Sequence, residues 1–93
     1  MPAWKTRRHL EDHFRDHGHE MGARSIAAYD ASAQETYRTG EVFGYEDRRT
    51  GARRVGYYDR VTGRFVATDE YDRILSHFVA DDEYIEGLRE EEG

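Results

Sequence analysis

Beyond Gly40 the chain consists of short strand-like segments separated by turns, and this pattern restricts the fold more than any other feature of the sequence. Four such segments follow one another, namely Glu41 to Asp47, Arg53 to Asp59, Arg64 to Thr68 and Arg73 to Val79. The breaks between them are Thr50-Gly51, Thr62-Gly63 and Asp69 to Asp72. Because turns this short cannot hold a crossover helix, the sequence predicts an antiparallel meander of three or four strands.

Before Gly40 the apolar residues have the spacing of helices. Thr6 is the predicted N-cap of a first helix that ends at His17, and we expect Gly18 to end it by adopting a positive φ. Ser25 is the predicted N-cap of a second helix, with Gly40 just past its end. Two helices followed by a meander predict an α+β fold in which both helices pack on one face of the sheet.

The acidic C-terminal segment contains a third, shorter predicted helix. Asp81 or Asp82 is its candidate cap, and the apolar residues that it carries are Tyr84, Ile85 and Leu88. We expect residues 89–93 to form a frayed acidic tail. The chain is therefore predicted to be a single domain, residues 1–93, with its core between residues 6 and 88. Its architecture is two N-terminal helices on a small antiparallel three- to four-stranded sheet, with a short C-terminal helix.

The composition excludes several classes of protein. The absence of cysteine removes disulfide frameworks, thiol catalysis and Cys-based zinc sites. A hydrophobic content of 37% predicts a thin core that relies on aromatic residues, which is compatible with a homodimer. No apolar run follows the basic residues near the N-terminus, so we expect no signal peptide, no membrane span and a cytoplasmic location.

Negative charge is concentrated at one end of the sequence. The last thirteen residues carry seven carboxylates against Arg89, and this excess equals the whole net charge of -6. The rest of the chain is neutral and contains a basic cluster formed by Arg48, Arg49, Arg53 and Arg54. An acidic protein of this kind can still bind an anionic ligand, although a solvated hairpin end explains the same cluster.

The histidines are the main candidates for chemistry, because four of the five lie between residues 9 and 19. Leu10, His13, Phe14 and His17 share one stripe of the first predicted helix, so His17 should face the rest of the protein at the end of that helix. A half-sheltered imidazole in such a place can be tuned for proton transfer near neutral pH.

Cleavage of RNA is a reaction that these residues could perform. Attack by the 2′-hydroxyl on the neighbouring phosphate requires a base for the hydroxyl proton, an acid for the 5′-oxygen, and donors for the charged phosphorane oxygens. The candidate acid and base are His17 with either His13 or His77.

The remaining candidates are spread over the second helix and the strands. The candidate neutral donors are Ser76 and either Tyr57 or Tyr58. Only one of the two tyrosines can face the helices, because neighbours on a strand point to opposite sides. The candidate substrate-binding residues are Arg54, Arg53, Tyr58 and Ser25. Arg54 is the candidate phosphate clamp, whereas the serine is explained equally well as a helix cap.

The spacing in the helical half resembles that of a known group of toxins. The pattern is His13-Phe14-x-x-His17-Gly18-x-x-x-Gly22-x-x-Ser25-x-x-x-Tyr29-x-x-x-Ala33. It is similar to the opening of the toxin domains at the C-termini of contact-dependent inhibition and other polymorphic toxins, and of related phage-borne domains. These domains are grouped with barnase, EndoU, colicin and RelE-like nucleases. The resemblance spans residues 8 to 88, and its strand motifs are Arg54-Val55-x-Tyr57-Tyr58-Asp59, Phe65-Val66 and Ile74-Leu75-Ser76-His77-Phe78.

The resemblance implies a toxin-like endoribonuclease that needs neither a metal ion nor a cofactor. RNA would be its substrate, a cognate immunity protein or antitoxin its partner, and it would be delivered between cells if it belongs to a toxin system. The closing strand of the group commonly reads Ile-Arg-Thr-Phe/Tyr-Phe-Lys-Pro, whereas Val79 and Ala80 replace the Lys-Pro here and His77 the first aromatic. The strand cation is therefore missing, and Arg54 on the neighbouring strand can replace it if both face the same side.

Two other interpretations stay open at the level of sequence. His9, His13 and His17 recur every four residues on the first helix and could chelate a first-row metal ion. Alternatively, the chain could be a catalytically inactive relative that acts as a protein- or nucleic-acid-binding module of a mobile element or toxin system.

Overall fold

The computed structural model of the protein describes residues 1–90. Its elements, in chain order, are α1 (Arg7–His17), a 3₁₀ helix (Gly18–Met21), α2 (Ile26–Thr39), β1 (Glu41–Glu46), β2 (Arg53–Tyr58), β3 (Arg64–Thr68), β4 (Ile74–Val79) and α3 (Asp82–Glu90). The predicted α+β fold is confirmed, and each strand begins and ends within one residue of its predicted limits.

Both predicted N-caps are confirmed. The Thr6 hydroxyl accepts a hydrogen bond from the backbone N–H of His9 at 3.1 Å, and the Ser25 hydroxyl accepts one from Ala28 at 3.1 Å. Each serves one of the amide groups that the first turn of a helix leaves without a partner. Gly40 follows the last residue of α2, as predicted.

The four strands form one antiparallel sheet in the order β1-β2-β3-β4. Partners across neighbouring strands point to the same side, so the pairing defines two faces. The first face carries the row Tyr57, Val66 and His77, and the second carries the row Tyr58, Phe65 and Phe78.

Helices cover both faces. On the first face Ala33 of α2 is buried against Tyr57, Val66 and Ile74. On the second face Ile85 of α3 is buried in a cluster with Phe43, Tyr45, Tyr58, Phe65 and Ala67. The sheet therefore has two thin cores, one on each side.

The first strand-like contact of the chain precedes α1. Trp4 forms a parallel bridge with Ile74, and the hydrogen bonds of this bridge are Lys5 N–H to the Ile74 carbonyl at 2.9 Å and Ile74 N–H to the Ala3 carbonyl at 2.8 Å. The Trp4 indole N–H also donates to Asp30 at 2.9 Å. This segment pairs with the outer edge of β4 and places α1 beside that strand.

Two of the hairpin turns have the same sequence, Asp-Arg-x-Thr-Gly, and this repetition was not predicted. Asp47 accepts the backbone N–H groups of Arg49 and Thr50, and Asp59 accepts those of Val61 and Thr62. The closing glycines have φ values of 73° and 76°, in the left-handed region that glycine enters at little cost. The two tight turns therefore follow from local sequence.

The expectation for Gly18 was wrong. Its φ is −54°, and it begins the 3₁₀ helix instead of ending α1 with a positive φ, which occurs at Gly22 with φ 69°. Glycine is required at position 18 for a different reason, since a Cβ there would lie 2.7 Å from the Phe14 ring. Close packing, not backbone conformation, explains this residue.

The frayed tail was predicted to begin at residue 89, which is too early. Arg89 and Glu90 belong to α3, and the Arg89 guanidinium lies 5.1 Å from the centre of the Phe43 ring. This contact holds the last turn of α3 against the sheet. Residues 91–93, the rest of the predicted tail, lie outside the described residues.

His77 is a fully buried polar residue at the centre of the first face. Its Nδ1 lies 3.0 Å from the Phe65 carbonyl, and its Nε2 lies 2.9 Å from the Ser32 hydroxyl. Because a carbonyl only accepts, Nδ1 carries the proton and Nε2 accepts from the serine. The Tyr29 hydroxyl donates to the His77 carbonyl. His77 thus joins α2, β3 and β4 as a neutral, fully hydrogen-bonded imidazole.

We expect His77 to make the fold sensitive to acid. Burial lowers its pKa to about 4, although the hydrogen bond to the Phe65 carbonyl opposes the shift. In the unfolded chain the His77 imidazole takes up a proton below about pH 6.5. In the folded protein it takes up this proton only near pH 4. The contribution of His77 to the free energy of unfolding is therefore fully present above pH 6.5. It decreases by about 3 kcal/mol as the pH falls to 4.

Urea unfolding of the wild type and of His77→Gln at pH 7, 5.5 and 4.5 measures this effect. Glutamine can still donate and accept but does not titrate, so the loss of stability over this range should be smaller in the variant. Equal losses in the two proteins would assign the acid sensitivity to other groups, of which half-buried His13 is the first to consider.

Candidate functional site

A groove of about 1120 Å³ crosses the second face of the sheet beside α3. We call it the sheet groove. Its floor includes Tyr45, Arg54, Ala67 and Ser76 of the four strands, and α3 forms one side through Glu83, Tyr84 and Leu88. Residues His9 and His13 of α1 reach it around the edge of β4. The groove is therefore lined by the sheet, by α3 and by α1.

The two sides of the sheet groove differ in charge. The basic side chains come from the β1–β2 hairpin and the N-terminal segment, namely Lys5, Arg48, Arg49 and Arg54. The acidic side chains are Asp81 and Glu83 at the start of α3 and Asp47, which lies among the more numerous cations of the hairpin. A polyanion is attracted to the first side and repelled by the second.

Arg54 is the most enclosed arginine of the basic side, being half-buried where Arg48 and Arg49 are exposed. Its guanidinium donates to the Arg53 carbonyl at 3.2 Å. Within residues 1–90 it forms no salt bridge with a carboxylate, which leaves most of its donors available for an anion.

His13 lines the sheet groove between two other imidazoles. Its ring centre lies 6.5 Å from that of His9 and 5.8 Å from that of His17, and the rings are stacked. Burial lowers the pKa of His13, and the neighbouring His17 and His9 lower it further. Its Nδ1 is buried and has no hydrogen-bond partner within residues 1–90. The neutral tautomer with the proton on Nε2 is therefore favoured, and it makes His13 a hydrogen-bond donor.

His17 is held by a carboxylate that sequence reasoning missed. Its Nδ1 lies 2.7 Å from one oxygen of Glu20, and the other oxygen of Glu20 accepts the Val79 N–H at 2.9 Å. Because a carboxylate only accepts, Nδ1 carries a proton, and in the neutral form of His17 the lone pair is therefore on Nε2. The His17 ring lies 5.6 Å from Phe78, which lines the groove. The sequence contains a signal for the contact with Glu20, namely the three-residue spacing of His17 and Glu20 on a helical segment.

The ionisation of Glu20 supports this arrangement. Burial opposes the charged form, but the hydrogen bonds from His17 and from the Val79 N–H outweigh it, so the pKa of Glu20 lies below its ordinary value. Glu20 is therefore a carboxylate at neutral pH and ties the 3₁₀ helix to the end of β4.

Three of the candidate site residues meet in the sheet groove, namely His13, Ser76 and Arg54. His17 lies at its margin, in contact with two groove residues. Ser76 and Arg54 lie on the same face of the sheet. Val79, at the position of the missing strand cation, lies on the other face with His77, and β3 separates β4 from the strand that carries Arg54. The expectation that Arg54 replaces this cation from a neighbouring strand was therefore wrong.

The structure does not bring the other candidates to the groove. His77 and Tyr57 lie on the first face, where Tyr57 packs on Tyr37 with ring centres 4.5 Å apart. Arg53 also points to the first face, because it precedes Arg54 on the strand. Ser25 lies at the start of α2 as its N-cap.

Tyr58 lies on the second face, but its hydroxyl is engaged. It donates to Asp82 at 2.8 Å, and this bond raises its pKa to about 12 together with burial, which is the larger cause. Tyr58 therefore anchors the start of α3.

The metal-site interpretation of the α1 histidines finds no support in their geometry. Stacked rings direct their nitrogens side by side, not toward one point. Within the part of the chain that the structure describes, no group of three or more His, Cys, Asp or Glu side chains is placed to hold a metal ion. The helices of that part include none that is long and apolar enough to cross a membrane.

Comparison of the chain with protein-family models, with curated proteins and with solved structures finds no match.

We expect Glu20 to determine the tautomer of His17. In Glu20→Ala the acceptor for Nδ1–H is lost, so the proton should move in part to Nε2. The ¹⁵N chemical shifts of the His17 ring above pH 8 report this change. Glu11→Ala, which removes an exposed carboxylate paired with Arg7 on the same helix, is the matched control. Unchanged His17 shifts in Glu20→Ala would show that the contact does not fix the ring.

Proposed function

We propose that this chain is a metal-independent, toxin-like endoribonuclease that binds RNA in the sheet groove. The observation that carries the proposal is the His17–Glu20 pair, which leaves the lone pair of Nε2 free at the margin of a groove that contains Arg54, Ser76 and His13. A base, cationic donors and neutral donors are the groups that cleavage through the 2′-hydroxyl needs. The resemblance to toxin nucleases points to the same reaction.

In the proposed reaction His17 is the base. Its Nε2 takes the proton of the 2′-hydroxyl while the 2′-oxygen forms a bond to phosphorus. The bond between phosphorus and the 5′-oxygen breaks, and the 5′-oxygen takes a proton from water in the open groove. His17 then returns its proton to solvent, so the products are a 2′,3′-cyclic phosphate and a free 5′-hydroxyl. The Glu20 carboxylate stabilises the charge that His17 acquires during the step.

The other groove residues act on the phosphate. Arg54 supplies charge-assisted hydrogen bonds to the phosphate from the floor of the groove. Ser76 and the Nε2–H of His13 are neutral donors on the same side of the sheet. We place this activity in the cytoplasm, where RNA is present, with a cognate immunity protein or antitoxin as the expected partner.

A non-catalytic binding module is the second candidate. The observation that favours it is the acidic side of the groove, because Asp81 and Glu83 lower the affinity for a polyanion. Such a module would bind RNA or protein in the groove and leave RNA intact.

RNA cleavage in excess chelator tests the first candidate. We expect wild-type protein to produce 2′,3′-cyclic phosphate ends, and His17→Ala to lower the rate about a hundred- to ten-thousand-fold, as loss of a positioned base does. His19→Ala, an exposed histidine two residues away, is the matched control and should retain the activity. Circular dichroism checks that both proteins are folded. Equal cleavage rates for wild type and His17→Ala would then remove His17 from the mechanism. No cleavage by the wild type would favour the binding module.

RNA binding as a function of salt tests the role of Arg54. Each phosphate contact contributes about 0.7 to the slope of log affinity against log salt for a single strand. Arg54→Ala should therefore bind RNA more weakly and with a shallower slope. Arg53→Ala removes the neighbouring charge on the other face and should change the slope less. Equal slopes for the two variants would assign Arg54 to the solvated surface.

A further inference from the structure

Tyr84 is an aromatic residue of the sheet groove that is both fixed and exposed. Its ring makes edge contacts with Phe65, at 6.4 Å and 78°, and with Phe78, at 5.8 Å and 74°. Its backbone N–H donates to Asp81 at 2.8 Å. Even so, 47% of the residue is exposed, and it lines the groove. The ring is held in place without being covered.

The other tyrosines that could contact RNA differ from Tyr84 in one of these respects. Tyr45 lines the groove but is only 7% exposed. Tyr57 and Tyr58 are buried. Tyr71 is 70% exposed but lies in the β3–β4 turn, outside the groove, with Arg73 over its ring at 5.2 Å. Within residues 1–90, Tyr84 is thus the groove tyrosine with an accessible ring.

The charges of the groove determine which part of a nucleic acid can reach Tyr84. Asp81 and Glu83 precede it in the sequence and line the same side of the groove, so they repel phosphate there. On the opposite side Arg49 and Arg54 attract phosphate and outnumber Asp47, the one carboxylate of residues 1–90 that lines the groove beside them. A single strand in the groove would therefore direct its backbone toward the arginines and its bases toward α3.

We infer that Tyr84 is a stacking platform for a nucleobase of single-stranded RNA. The inference rests on the proposed function for the presence of RNA in the groove, and it adds a subsite for the base to the residues that bind the phosphate. Every base has a π-face, so stacking on a fixed aromatic ring is a contact that tolerates any sequence. Phe65 and Phe78 position the ring, and the carboxylates keep the backbone away from it.

Binding of non-cleavable oligonucleotides tests the inference. The probes are a short single-stranded 2′-deoxy oligonucleotide, which has no attacking hydroxyl, and an abasic strand of the same length and charge. Tyr84→Leu keeps apolar contact with the two phenylalanines but removes the aromatic face. It should bind the base-containing strand about 5- to 150-fold more weakly and the abasic strand as the wild type does. Tyr84→Phe should bind both strands as the wild type does.

Tyr71→Leu is the matched control, because it removes an exposed tyrosine outside the groove and should change neither affinity. Equal affinity of wild type and Tyr84→Leu for the base-containing strand would overturn the inference. So would an equal loss for both strands, or no binding of either strand by the wild type. Because these probes cannot be cleaved, base-dependent binding through Tyr84 in a protein that does not cut RNA would overturn the ribonuclease proposal and leave the stacking site.

Discussion

The pairing of β3 with its two neighbours determines the rest of the structure. Val66 and Phe65 are adjacent in sequence, and the alternation of a strand sends one into each core. A shift of this pairing by one residue would exchange the two faces and place His77 on the open side. The same alternation separates Arg53 from Arg54 and Tyr57 from Tyr58. Each candidate residue on the strands is thus assigned to the groove or to the core by its position in the register.

Environment, not residue type, distinguishes the histidines. His77 has a partner on each nitrogen and is fully buried, so it belongs to the core. Among residues 1–90, His17 has a partner on Nδ1 only, and that partner is a carboxylate. In the same range the buried Nδ1 of His13 has no partner, and the pKa of His13 is lowered by burial. Three imidazoles of the same chemistry thus differ in role. His77 is structural, His17 offers a basic nitrogen when neutral, and His13 offers a hydrogen-bond donor.

The sequence could predict the fold because its signals are local. Helix caps at Thr6 and Ser25 and turns that begin at an aspartate each involve only a few neighbouring residues. The reason for glycine at position 18 was not predictable in this way, because it depends on how the Phe14 ring turns back along the helix. Local patterns report backbone conformation well and packing poorly.

The site was predicted only in part for a related reason. The spacing on α1 selected His13 and His17, but the burial of His77 depends on Ser32, which lies 45 residues away. Tyr84 was named only as one of three apolar residues on the last predicted helix, yet Ile85 is the buried one and the tyrosine lies beside the groove. Such assignments require the strand register and the position of α3, and neither is encoded in a short motif.

The twice-used Asp-Arg-x-Thr-Gly turn has a consequence for the order in which contacts can be made. Both turns flank β2, and each closes a loop of a few residues, so the two hairpins that share this strand form at a small entropic cost. The bridge between Trp4 and Ile74 joins positions far apart in the chain and costs more to close. The edge of the sheet that carries α1, and with it the histidines, is therefore joined by a contact that costs more to close than either hairpin.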